Sequence, residues 1–279
     1  MKRALMLLAF VLSAHHAVGG VASYIRFEEN GGAVAHDETG LLDGDLISFS
    51  ANQMNPGGGD TYGRGWSTDT PYSTIPQTGE ANVTSMRMNG GSAYIDLSNY
   101  NDLLLGYSFT IEMFIKPDEN AALYGASVFG FGSDFSDKLF FSISISSGQS
   151  YFTCQFMDTQ VYFLAEEIRF NDWQHVALVK EQGEYSVYLD GQLLNNEGLS
   201  YTLDGPYEFY GDPTMGTRTI GGESGTFRGW LDEFRISDEA LSPSQFLNAA
   251  IPEPSTLVLL LLGLPLLCVA QHRNQARKR

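Results

Sequence analysis

The side chains that could do chemistry are few. Away from its two ends the 279-residue chain has two histidines, His36 and His175, and one cysteine, Cys154. His175 shares one face of an alternating run with Trp173 and Ala177, the placement of a packed structural histidine more than of a general base. Cys154, within the run Tyr151-Phe152-Thr153-Cys154-Gln155-Phe156, reads as a small buried strand residue. Its only companion, Cys268, lies in an apolar C-terminal run, so no disulfide forms within the body. Gly222-Glu223-Ser224-Gly225-Thr226 lacks the last glycine of a nucleophile elbow. Gly57-Gly58-Gly59 follows no strand and opens no helix, so it reads as a turn and not as a phosphate cradle. Recognition chemistry is better represented. Asn52–Thr84 is rich in Gly, Pro, Ser and Thr, has little periodicity, and carries Tyr62, Trp66 and Tyr72. Exposed rings stack on sugar faces and anchor protein interfaces, which makes these three candidate ligand contacts at a rim. The plainer reading, that they fold back over a sheet edge, has equal weight.

Strands must position such groups. Trp173, His175, Ala177 and Val179 alternate with Gln174, Val176, Leu178 and Lys180, the period of two of a strand. The chain turns at Glu181–Glu184 and returns with Tyr185, Val187 and Leu189 on one face and Ser186 and Tyr188 on the other. It stops at Asp190-Gly191, where glycine supplies the positive φ of a tight turn. A hairpin with one apolar face needs a second sheet to cover it. Alternation predicts further strands over 22–28, 92–97, 108–116, 128–131, 139–146, 150–156, 161–165 and 227–236. The pattern breaks near Trp230–Glu233, which suggests a bulge, and Ser242-Pro243 opens a helix of a turn or two. The expected fold is all-β, one antiparallel two-sheet sandwich over residues 23–250.

The run from Trp173 to Gly191 resembles the laminin G-like, concanavalin A-like jelly roll, where a Trp-x-His-Val-Ala strand is followed by a Tyr-x-Asp-Gly return. Tyr24–Glu29 with Asp37–Gly40, the strand Phe109–Pro117 and the stretch Phe227–Phe246 are similar to that family's opening, middle and closing segments. The resemblance implies a surface or matrix protein that binds a glycan, an exopolysaccharide or a surface protein. It also implies that first and last strands lie close together. Glu28, Asp37 and Asp232 could then meet around a structural Ca2+, which takes six to eight oxygen ligands. The competing reading makes Asp232 and Glu233 an ion-paired or capping couple near Arg235. Related jelly rolls include glycosidases with two acids about two residues apart on one strand. Here Glu112 is followed by Phe114 and Asp232 by Phe234, and adjacent Glu166 and Glu167 would point apart. The sequence therefore predicts a binding protein that is not an enzyme. The alternative is a carbohydrate-active enzyme, a glycoside hydrolase or lyase, on the same fold.

Both ends speak of export. Lys2 and Arg3, an apolar run and small residues give residues 1–22 the layout of a secretory signal peptide. Pro252-Glu253-Pro254, the apolar stretch Leu257–Ala270 and a basic end make residues 251–279 resemble a PEP-CTERM sorting segment. That resemblance implies a short transmembrane helix, an inner-membrane intermediate, handling by an exosortase, and delivery to the surface or matrix of a Gram-negative bacterium. Between the ends 10 basic residues face 32 acidic ones, a net of −22 within a chain total of −17. So acidic a body excludes nucleic acid as a partner and suits neutral glycans or cations.

Overall fold

The computed structural model describes residues 20–47, 49, 65–89, 93–97, 104–118, 126–131, 139–146, 149–156, 159–164, 168–194, 207–208, 214–220 and 223–250. The first strands are β1 (Val21–Ile25), β2 (Val34–Ala35), β3 (Gly44–Ile47), β4 (Gly65–Ser67), β5 (Ser85–Asn89), β6 (Tyr94–Asp96) and β7 (Leu104–Leu105). Next come β8 (Phe109–Pro117), β9 (Ala126–Phe131), β10 (Leu139–Ser146), β11 (Gln149–Phe156), β12 (Thr159–Leu164), β13 (Gln174–Glu181) and β14 (Glu184–Leu189). The chain closes with β15 (Gln192–Leu193), β16 (Tyr207–Glu208), β17 (Thr214–Met215), β18 (Thr217–Ile220), β19 (Glu223–Thr226) and β20 (Arg228–Ser237).

These strands build an antiparallel two-sheet sandwich. One sheet runs β15-β14-β13-β8-β20-β5-β4, with β1 also on β20, and the other runs β12-β11-β10-β9-β17-β6-β3-β2, with β18 and β19 attached at β9. Among the described residues pairing is antiparallel except at one β19–β9 contact. The central hairpin has the expected register, Val176↔Leu189 through Glu181↔Glu184. Its turn residues Gln182 and Gly183 both have positive φ, 50° and 94°, as a primed two-residue turn requires. Asp190-Gly191 makes a second such turn, into β15.

Alternation sorts the first sheet into two faces. Ile111, Met113 and Ile115 of β8, Val176 and Leu178 of β13, and Leu231, Phe234 and Ile236 of β20 point inward. There they share one core with Ile95, Phe129, Phe152, Phe163 and Met215 of the second sheet. Thr110, Glu112, Phe114 and Lys116 point the other way, toward what we term the outer face. Two short segments cover part of it. Leu241 and Phe246 pack on Ala177 and Val179, and Ile75 and Leu247 pack on Phe114. The closing helix is one 3₁₀ turn, Pro243–Gln245, preceded by Ser242.

The suspected bulge is present and has a purpose. Register between β20 and β8 shifts between Asp232 and Arg235, and Glu233 sits at φ 53°. Before the bulge the far edge of β20 pairs with β5, and after it with β1. β1 begins at Val21, two residues inside the span expected for the leader, and ends at Ile25, before Phe27 with φ 61°.

Candidate functional site

Trp66 belongs to the core and not to a rim. Part of the stretch read as irregular is strand β4, whose pairing with β5 sets Trp66 opposite Met86. That register turns the indole inward, where it is 2% exposed and its N–H donates to the Gly32 carbonyl at 3.2 Å. Tyr72 is 43% exposed, its ring edge-on to Phe114 at 5.6 Å. Tyr62 lies outside the described residues, as do Pro252, Glu253 and Pro254.

The three carboxylates expected around calcium are divided between two places. Glu28 accepts from the backbone N–H groups of Val83 at 2.9 Å and Thr84 at 3.4 Å. Asp232, fully buried, accepts from the Asn82 side-chain amide at 2.9 Å in the same notch between β1 and β5. Asp37 instead organises its own loop, accepting from the N–H groups of Tyr24 at 2.7 Å, Leu42 at 3.1 Å and Thr39 at 3.2 Å. Among the described residues no group of three or more His, Cys, Asp or Glu stands where it could hold a metal ion. Backbone N–H groups already use carboxylate lone pairs of Glu28 and Asp37. Nor do Asp232 and Glu233 form a couple near Arg235: Glu233 ion-pairs with Arg26 at 3.0 Å and accepts from the Tyr24 hydroxyl.

Burial, and then the neighbouring Glu233 charge, push the Asp232 carboxyl well above the usual carboxylate range. One oxygen of Asp232 and the carbonyl oxygen of Asn82 have no partner. A raised folded-state pKa stabilises below the ordinary aspartate pKa of about 3.9, and that contribution is lost as pH rises. Asp232→Asn is therefore expected to stabilise the domain at pH 7 by about 1–3 kcal/mol and to change little at pH 3.5. Denaturant melts at the two pH values check this. A parent stabilised by calcium, with the response abolished by Asp232→Asn, would instead make Asp232 a metal ligand.

At the centre of the outer face sits a charged network that the sequence reading missed. Glu112 on β8 is 1% exposed. One of its oxygens accepts from Arg235 Nε at 2.7 Å and from the same guanidinium's Nη2. The other accepts from His175 Nε2 at 2.7 Å and from the Leu247 N–H at 2.9 Å. Arg235 also donates to the Gln245 carbonyl at 2.9 Å, so the network straps the C-terminal segment onto the sheet. His175 packs between Phe114 and Phe246, ring centroids 5.2 and 5.5 Å away. Its Nδ1 is buried without a partner. Among the described residues no group continues the network beyond the ring, which is packed against two aromatic side chains.

Farther along the same face, where β8 ends and β20 begins, aromatic rings are half-exposed. Trp230 stands in a cross-strand row between Arg87 of β5 and Lys116 of β8. The guanidinium carbon lies 4.5 Å and the ammonium 4.9 Å from the indole centroid. Ser67 Oγ accepts from the Trp230 N–H at 3.1 Å. Asp69 ion-pairs with Lys116 at 2.6 Å and accepts from the Trp173 N–H at 2.9 Å, which ties a second indole to the row. Tyr72 extends the patch over Phe114, two residues before Lys116 on the outer face. Gly229 allows the close fit, because a Cβ there would come within 2.2 Å of the Lys116 carbonyl oxygen. Ring faces beside fixed polar groups are what a sugar needs, apolar on its faces and hydroxylated at its edges. Elsewhere on this face a groove of about 580 Å³, lined by Glu181, Glu184, Tyr188 and Pro243 among others, has one ring and no basic residue.

The family model for the Concanavalin A-like lectin/glucanases superfamily matches residues 89–246, more than half of the chain. The chain belongs to this superfamily. Among curated proteins none matches it significantly. Domain 4 of AbnA, a GH43 extracellular arabinanase from Geobacillus stearothermophilus solved with arabinotriose, is 18% identical with a TM-score of 0.55. That match covers 82% of this chain and 97% of the domain. A Trypanosoma rangeli sialidase, solved with 2,3-difluoro-KDN, is 15% identical with a TM-score of 0.54; 82% of this chain aligns with 32% of that one. The chain thus spans about a third of the sialidase and nearly all of the arabinanase domain. The expectation of a chain that is not an enzyme is overturned here, because these structural neighbours come from glycoside hydrolases. At such identities the likeness fixes the fold and assigns no reaction. Both of the patch's tryptophans fall within the residues matched to the superfamily; Trp66 and Tyr72 precede them.

Proposed function

We propose that this chain recognises carbohydrate through the outer face of its first sheet, at Tyr72, Trp173 and Trp230. The observation that carries the reading is the half-exposed tryptophan pair fixed by Ser67 and Asp69. Membership of a lectin and glucanase superfamily supports the same ligand class, as does a structural neighbour solved with arabinotriose. A glycan array tests it. The chain is expected to retain a defined glycan class, and Trp173→Ala to weaken that binding about tenfold, the ~1.4 kcal/mol of one good ring contact. The variant must remain folded at the temperature of the assay, as its circular dichroism reports. No glycan retained, or retention indifferent to Trp173→Ala, removes the reading.

A second reading, glycoside hydrolysis, is favoured by the arabinanase and sialidase neighbours. Release of sugar from the retained glycan would establish it. Export completes the proposal. The charged-apolar start and the Pro-Glu-Pro, apolar and basic end are those of a protein secreted, handled by an exosortase at the inner membrane and placed at the cell surface or matrix. There it would meet polysaccharide.

A further inference from the structure

We infer that the site takes an acidic sugar, a uronate-bearing glycan held by the Arg87 guanidinium beside Trp230. The inference rests on the carbohydrate reading above and adds the class of sugar. Arg87 lies over the Trp230 ring, 4.5 Å from guanidinium carbon to centroid. Stacking of this kind uses the face of the guanidinium and leaves its in-plane N–H donors unused. Among the described residues no carboxylate or carbonyl accepts from Arg87, although acids outnumber bases 33 to 16 in the chain. Most guanidinium groups described here are engaged: Arg26 with Glu233, Arg169 with Asp172 and Asp190, and Arg235 with Glu112. An arginine whose face is satisfied and whose edge is not is preorganised for a planar two-oxygen acceptor, since the fork matches a carboxylate bidentately.

Two neighbours point to the same chemistry. Arg228, two residues before Trp230 on β20 and opposite Asn89, has a buried Nε without a hydrogen-bond partner. Lys116 flanks the indole on its other side, its charge shared with Asp69. Arg87 and Lys116 stand on strands two spacings apart, about 9.6 Å, so an extended oligosaccharide can lie along the row. A uronate offers one carboxylate beside an apolar ring face on each unit, which fits one free fork beside one indole. A heavily sulfated chain, with more than one charge on each unit, would meet the opposing field of a chain whose net charge is −17 more strongly than a uronate does. The ligand is therefore a carboxylated sugar and not a heavily sulfated chain.

The test is calorimetric titration of the whole chain with an oligogalacturonide, with its carboxyl-reduced neutral counterpart, and with a sulfated oligosaccharide of equal length. The oligogalacturonide is expected to bind roughly tenfold tighter than the neutral sugar, an advantage that shrinks as salt is added. Arg87→Gln should erase the advantage and Arg87→Lys restore only part of it, because lysine keeps the charge and loses the fork. Equal affinity for charged and neutral sugars, an advantage that survives Arg87→Gln, or tighter binding of the sulfated chain each overturns the inference. If the neutral sugar still binds, recognition of carbohydrate stands and only the acidic class falls. If no sugar binds and no glycan is retained on the array, both fall.

Discussion

Glu112→Ala is expected to destabilise the domain by about 3–5 kcal/mol, because it strips the only described carboxylate from a buried guanidinium. The same change deprives His175 Nε2 and the Leu247 N–H of their acceptor, which loosens the strap over the outer face. Equilibrium denaturation followed by tryptophan fluorescence measures the loss. Arg235→Leu combined with Glu112→Leu should cost less than the sum of the single changes, since removing both charges leaves neither one stranded. Burial alone would raise the Glu112 pKa, but the Arg235 charge and the His175 hydrogen bond outweigh it and hold the carboxyl below the ordinary glutamate range. A depressed carboxylate stabilises the fold above its unfolded pKa, about 4.3, and that stability is lost as the pH falls through the folded value. Glu112→Ala should thus flatten the acid limb of the stability curve. A variant within about 1 kcal/mol of the parent at pH 7 would show that the network is not a support of the fold.

Trp66→Ala is expected to cost about 3–5 kcal/mol, the range for emptying an aromatic site in a packed core. The indole is 2% exposed, shares the core with Met86 and Met88, and satisfies the Gly32 carbonyl. Its removal opens a cavity and orphans that carbonyl. Glycan affinity of the protein that remains folded should not change, because the indole faces away from the outer patch. The reverse outcome, intact stability with lost binding, would return Trp66 to a rim site.

Much of the sandwich was legible, because strand alternation is a local property. Val176, Leu178, Val187 and Leu189 announce their inward face by spacing alone, and Asp190-Gly191 announces its turn. The bulge at Asp232–Arg235 showed as a break in the pattern, though not as the point where β20 exchanges β5 for β1. The site was harder to see. Trp66 sits in a three-residue strand, too short for alternation to show, so a core ring passed for a loop ring. Trp173 and Trp230 are 57 residues apart in sequence and are linked through Asp69, which takes the Trp173 N–H and pairs with the Lys116 beside Trp230, a connection no local pattern predicts. Glu112, His175 and Arg235 each occupy a non-core strand position, and that shared parity was a signal available in advance. Their contact depends on strand order β13-β8-β20, which periodicity does not contain.

Amide hydrogen exchange of the chain, with and without the glycan it retains, tests the central claim most directly. Recognition at the outer patch predicts ligand-dependent protection at Ser67–Tyr72 and Asn171–Trp173, with little change in β10 or β11. Protection confined to the second sheet, or to the groove beside Glu181 and Tyr188 with none at Trp173, would contradict it.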